Sequence, residues 1–162
     1  MEATFDAELE KNPDATVIDV SAGGQLSSKR VYFLPWEIDS DDSVLRKSIK
    51  TFVRNAIRRV VLKGYHTIAF PAIGCGQLGC PINVVAEVMV QEAHYLSQTH
   101  GISVVFVIQP NKNDVYNEFQ KQINQPHDLT LIPPSVKTIS VPVHKGMIEV
   151  QKGDITKQKV SI

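Results

Sequence analysis

The chain has 162 residues and a mass of 18.0 kDa, and its 43% hydrophobic content suffices for one globular domain that needs neither disulfides nor a structural metal to fold. Its 17 basic and 17 acidic residues cancel, which removes any whole-molecule electrostatic reason to bind nucleic acid or a membrane, and a charged content of only 21% excludes a wholly disordered chain. No apolar run approaches the ~20 residues that cross a bilayer. The acidic start MEATFDAELEK lacks a signal-peptide core, and the two cysteines, Cys75 and Cys80, share one loop-like stretch. The expectation is a protein of a reducing, intracellular compartment, nucleus and/or cytoplasm.

In chain order, Val17 to Val20 and Val31 to Leu34 read as short strands around the turn Ala22-Gly23-Gly24-Gln25. Ser40-Asp41-Asp42-Ser43 offers N-caps for a helix whose apolar positions are Leu45, Ile49, Phe52, Ala56 and Val60, with Gly64 as its stop. Thr67 to Ile73 is a buried-strand pattern, followed by the loop Gly74 to Cys80. Pro81 suits the first turn of the next helix, whose inward stripe is Ile82, Val85, Met89, Ala93 and Leu96 and whose end is Gly101. Ser103 to Ile108 is a continuous apolar strand, and Asn113 to Ile123 a short helix with Val115, Phe119 and Ile123 on one side. This alternation implies a parallel α/β sheet with right-handed crossovers. Residues 124–137 read as a linker, and Thr138 to Val143 and Met147 to Gln151 as two further strands.

Chemistry concentrates in Gly74-Cys75-Gly76-Gln77-Leu78-Gly79, between an apolar strand and a helix. Open α/β sheets bind ligands outside the carboxyl ends of their strands. Glycines let successive N–H groups point at an anion, and the following helix N-terminus adds about half a positive charge. The spacing predicts a phosphate or diphosphate cradle. It also matches G-x-G-x-x-G, but a dinucleotide fold needs an acidic residue about 20 positions on, closing the next strand, and here that strand ends at Ile108-Gln109-Pro110.

FPAIGCGQLGCPINVVAEVM resembles the second phosphate-binding loop of macrodomains, the ADP-ribose-binding modules, and the flanking runs MEATFDAELEKNPDATVIDVSAGGQLSSKRVYFLPW and VVFVIQPNKNDVYNEFQKQI resemble other parts of the same family. The tone is nearest to the tandem macrodomains of the multi-macrodomain ADP-ribosyltransferases, the B aggressive lymphoma group. The resemblance implies a three-layer α/β/α sheet, truncated or permuted. Residues 1–123 would form a core without the module's first strands, and residues 138–162 would resemble its start, because MIEVQKGDITKQKVSI is similar to a macrodomain's G-D-I opening. Either the chain spans the tail of one module and the head of the next, or its last strands fold back onto the sheet. A strand of the family that lies between those ending near Ile73 and near Val31 has no counterpart, which leaves hydrogen-bonding edges to re-pair, be covered or recruit another chain.

What the resemblance implies for the site is diphosphate and distal-ribose binding by Gly74, Cys75, Gly76, Gln77, Leu78 and Gly79, and adenine recognition by Asp154 with Ile155 beside it. Gln109 and Leu78 stand where many and some members, respectively, carry aromatic residues. The implied function is a mono- or poly-ADP-ribosyl recognition module, incomplete and weak, with ADP-ribose or ADP-ribosylated protein as partner. An ADP-ribosyl hydrolase and a scaffold fragment acting through protein–protein contacts are the alternatives. No catalytic residue, metal ligand set or cofactor is expected: no motif ties a histidine or aspartate to Cys75, and His66 and His94 lack ligand spacing. Arg46, Lys50, Arg54 and Arg58 repeat every four positions, either as a solvated face or as a polyanion contact.

Overall fold

The structure, a computed structural model, describes residues 17–23, 26–125 and 146–153. Its elements are β1 (Ile18–Ser21), β2 (Arg30–Phe33), α1 (Asp42–Leu62), β3 (Thr67–Pro71), α2 (Ile82–His100), β4 (Ser103–Ile108), α3 (Asn113–Asn124) and β5 (Ile148–Lys152). The fold is α/β with a parallel sheet. The strand expected at Thr138 to Val143, most of the linker at 124–137, and Asp154 and Ile155 lie outside the described residues.

Local signals place the helices. Asp41 caps α1, its Oδ1 accepting from the amides of Ser43 and Val44 at 2.8 and 3.1 Å, and Gly64 follows the helix in the left-handed conformation at φ 71°. Gly101 ends α2 in the same way at φ 64°, its N–H donating to Ser97 O at 2.9 Å. The expected inward stripe of α2 is too narrow. Val84, Ala86, Val88, Val90 and even Glu92 and Ser97 are buried as well, because α1 packs on one flank of α2 and α3 on the other. A single-stripe pattern assumes one covered side, whereas this helix has several.

β3, β4 and β5 form a parallel sheet in that order, with Phe70 opposite Phe106 and Phe106 opposite Val150. Ile148–Lys152 therefore folds back onto the sheet beside β4. An aromatic line ties the sheet to the helices: Phe52 of α1 lies 6.0 Å from Phe70, which lies 6.1 Å from Phe106, which lies 5.0 Å from Phe119 of α3. Phe106 and Phe119 are fully buried, and burying aromatics of this size dominates such a core.

β1 and β2 form a separate antiparallel pair, and among the described residues neither is hydrogen-bonded to β3. Tyr32, Leu34 and Trp36, two apart along the chain, nonetheless pack against the common core. Side chains fasten the pair where backbone does not. Arg30 Nε donates to Asp19 Oδ1 at 2.6 Å, and Lys63 of the α1 C-terminus lies 3.7 Å from the other carboxylate oxygen. The Asp19 contact raises the pKa of Arg30, and burial pushes the Tyr32 hydroxyl up to about 12. Tyr32 Oη, Trp36 Nε1 and Arg59 Nε are buried without a hydrogen-bond partner among the described residues.

Candidate functional site

Because β3, β4 and β5 run parallel, their carboxyl ends open on one side, and the loop after β3, the turn after β4 and Gly153 after β5 gather there. This mouth is where the sequence places its phosphate cradle. Local hydrogen bonds shape the loop: Cys75 N–H donates to Ala72 O (3.4 Å), Gly79 N–H to Gly76 O (3.2 Å) and Cys80 N–H to Gly74 O (3.0 Å). Gly74 and Gly79 have φ of 71° and 65°, the left-handed region that an L side chain avoids.

The two halves of the loop differ. A Cβ on Gly74 would lie 2.6 Å from Cη2 of Trp36 and 2.7 Å from Cys80 Sγ, so this glycine is a packing requirement. Cys80 and Trp36 hold the loop's base, and Trp36 is a core-edge anchor. Gly76, Gln77, Leu78 and Gly79 are exposed, and a Cβ on Gly76 or Gly79 would meet nothing within 4 Å. The outer half thus offers backbone to solvent, with Leu78 projecting beside it at 59% exposure. Apolar, and without a flat ring, it offers no stacking surface.

The helix that follows adds to the loop's character. Pro81 is the N-cap residue of α2; no side chain caps the first turn, and that turn holds no acidic residue. The first amides of a helix have no intrahelical acceptor, so this terminus faces the mouth with donors and a positive dipole end. Cys75 does not exploit that dipole. Burial pushes its thiol up to about 11, Cys80 and Asp114 adding to the rise and Lys112 opposing it. Its thiol is protonated at neutral pH, which leaves it a poor nucleophile. The shared influence of Lys112 and Asp114 places the start of α3 beside the loop, a neighbour the sequence reading did not name.

The basic stripe on α1 is divided. Arg46 Nη1 reaches Glu87 Oε2 at 3.1 Å and its Nε reaches Asp42 at 2.7 Å, while Arg54 Nε donates to the buried Glu92 at 2.6 Å. The hydrogen bond to Asp42 raises the pKa of Arg46. Lys50 and Arg58 are exposed and form no ion pair with a described residue. Half of the stripe therefore joins α1 to α2, a role readable only from the carboxylates five residues apart on the facing helix. No group of three or more potential metal ligands occurs among the described residues, and no described helix is long and apolar enough to cross a membrane.

The chain is similar to known proteins in both sequence and fold. The chain is 24% identical over 149 residues to the human protein mono-ADP-ribosyltransferase PARP14, a match covering 78% of this chain and 8% of that protein. A mutant of the Oceanobacillus iheyensis macrodomain superposes with a TM-score of 0.63 at 25% identity, covering 75% of this chain and 64% of that one. Another mutant of the same macrodomain, solved with ADPR, gives a TM-score of 0.61 at 25% identity over 72% of this chain and 66% of that one. The chain thus spans a small fraction of the human relative and a little under two thirds of these macrodomain chains. The Macro domain profile matches residues 7–89, just over half of the chain and including the whole glycine loop, and on that match the chain belongs to the Macro domain family.

Proposed function

We infer that the chain recognises ADP-ribose, free or attached to protein, at the mouth formed by the glycine loop and the α2 N-terminus. The observation that carries this reading is the coincidence of solvent-open Gly76 and Gly79 with a helix start that lacks a side-chain cap. Gly74, Cys75, Gly76, Gln77, Leu78 and Gly79 bind the diphosphate and distal ribose, and Asp154 with Ile155 takes the adenine. Neither Gln109 nor Leu78 offers a flat ring, so the affinity is weak. Isothermal titration with ADP-ribose tests the reading: saturable heat in the micromolar to millimolar range is expected, on the order of 4–8 kcal/mol of binding free energy. No heat up to millimolar ligand overturns it. Competition between ADP-ribose and poly-ADP-ribose distinguishes the mono- from the polymeric ligand.

A polyanion contact along α1 rests on Lys50 and Arg58, since Arg46 and Arg54 are held by α2. Two exposed cations with no ion pair among the described residues give a shallow salt dependence, a slope of about −1 to −2 in log K against log salt. A slope as steep as four phosphate contacts require, or none at all, contradicts that assignment.

A further inference from the structure

We propose that Lys152 is the positioning residue of the mouth: it fastens the end of β5 to the first turn of α3, so that docking of β5 and ligand binding rise and fall together. The ligand half of this proposal rests on the ADP-ribose reading above, whereas the clamp rests on geometry alone.

β5 is an edge strand with little of its own to bury. Ile148 and Val150 are half-buried, and Glu149 and Lys152 are exposed. Its outer edge pairs with no described strand, so its attachment depends on the β4 ladder and on what holds its two ends. At its start, Gly146 passes so close to the α2 C-terminus that a Cβ would lie 2.3 Å from the carbonyl oxygens of both Ser97 and Ile102. Next to it, Met147 O accepts from Val104 N–H at 2.8 Å. At its end, Lys152 Nζ donates to Asn113 Oδ1 at 2.6 Å and stands 4.8 Å over the ring centroid of Tyr116. The neighbouring Gly153 N–H donates to Ile108 O at 2.8 Å, which sets the backbone of Gly153 at the mouth.

One ammonium thus joins the β5 end to the α3 start, and the backbone amide of the adjacent Gly153 ties the same end to β4. The cation lies over an aromatic face and donates to an amide oxygen, two interactions that an apolar side chain of equal length cannot make. A ligand seated at the mouth meets Gly153 only when β5 is docked. Its apparent affinity is then scaled by the docked fraction, and by reciprocity the ligand protects β5 from opening.

Two amides report the two ends of the strand, Val104 for its start and Gly153 for its end. Without ligand, Lys152→Met should speed hydrogen exchange at Gly153 about three- to tenfold and leave Val104 less affected, and Lys152→Arg should restore Gly153 to within about twofold. Gly146→Ala supplies the undocked reference, with both amides exposed. With ADP-ribose at about 100 times its dissociation constant, protection at Gly153 should rise by up to ~100-fold in the unsubstituted chain, and Lys152→Met should weaken binding in proportion to its loss of docking. Unchanged exchange at Gly153 in Lys152→Met overturns the clamp. Binding of ADP-ribose with no added protection at Gly153 overturns the coupling. If the unsubstituted chain binds no ADP-ribose, the functional reading and the coupling both fall, and the clamp is judged on the ligand-free exchange alone.

Discussion

Two helices, α1 and α2, are capped in opposite ways at their starts. At α1, Asp41 accepts from the amides of Ser43 and Val44 and from Ser43 Oγ, so the helix start is closed by its own carboxylate. At α2, Pro81 occupies the same position and no side chain covers the first turn. The first arrangement stabilises the fold and the second leaves donors for something else. A helix start can serve stability or recognition with the same few amides, and the residue at the cap decides which.

The sharpest way to break the open site is from beneath. Gly74→Val forces a β-branched side chain into φ 71° and against Trp36 and Cys80, at a cost of about 2–4 kcal/mol. Chemical denaturation should show that loss, and ADP-ribose binding should vanish with the loop's base.

Exchanging the caps tests the comparison directly. Pro81→Asp gives α2 the carboxylate that α1 already has, which should stabilise the helix by about 0.5–1 kcal/mol while weakening ADP-ribose about tenfold in calorimetric titration. A gain in both properties would show that the ligand does not use this terminus.

The converse change at α1 should touch stability alone. Hydrogen bonds from Ser43 Oγ and from the amides of Val44 and Ser43 hold the Asp41 carboxyl below its ordinary value of 3.8. With the folded value depressed, the stabilisation is complete above the ordinary value and disappears as pH falls through the folded one. Asp41→Asn should therefore flatten the acid side of the thermal stability profile, with ADP-ribose affinity unaltered at neutral pH.

The smallest effect on stability is expected at Gly76. Gly76→Ala places a methyl group in open space and should change stability by no more than about 0.5 kcal/mol. Ligand affinity should still fall, because the backbone could no longer approach the diphosphate. Equal affinity in this variant would move the ligand off the outer half of the loop.

The elements themselves were legible in the chain. Periodicity and punctuation located α1 between Asp41 and Gly64, α2 between Pro81 and Gly101, and β4 at Ser103 to Ile108, because caps and apolar repeats act within a few residues. The glycine loop and its family likeness were also written there, since the run FPAIGCGQLGCPINVVAEVM between strand and helix is a local pattern. Contacts between distant residues were not. Glu87 and Glu92 taking up Arg46 and Arg54, Trp36 closing over Gly74, and Lys152 reaching Asn113 each join residues about 40 apart, and no spacing in one chain encodes such a meeting. The sequence alone determined which segments are helix, strand and glycine loop, because those depend on neighbours along the chain. Tertiary structure decided which charges are spent on packing and which glycine is open, because those depend on what the folded sheet brings alongside.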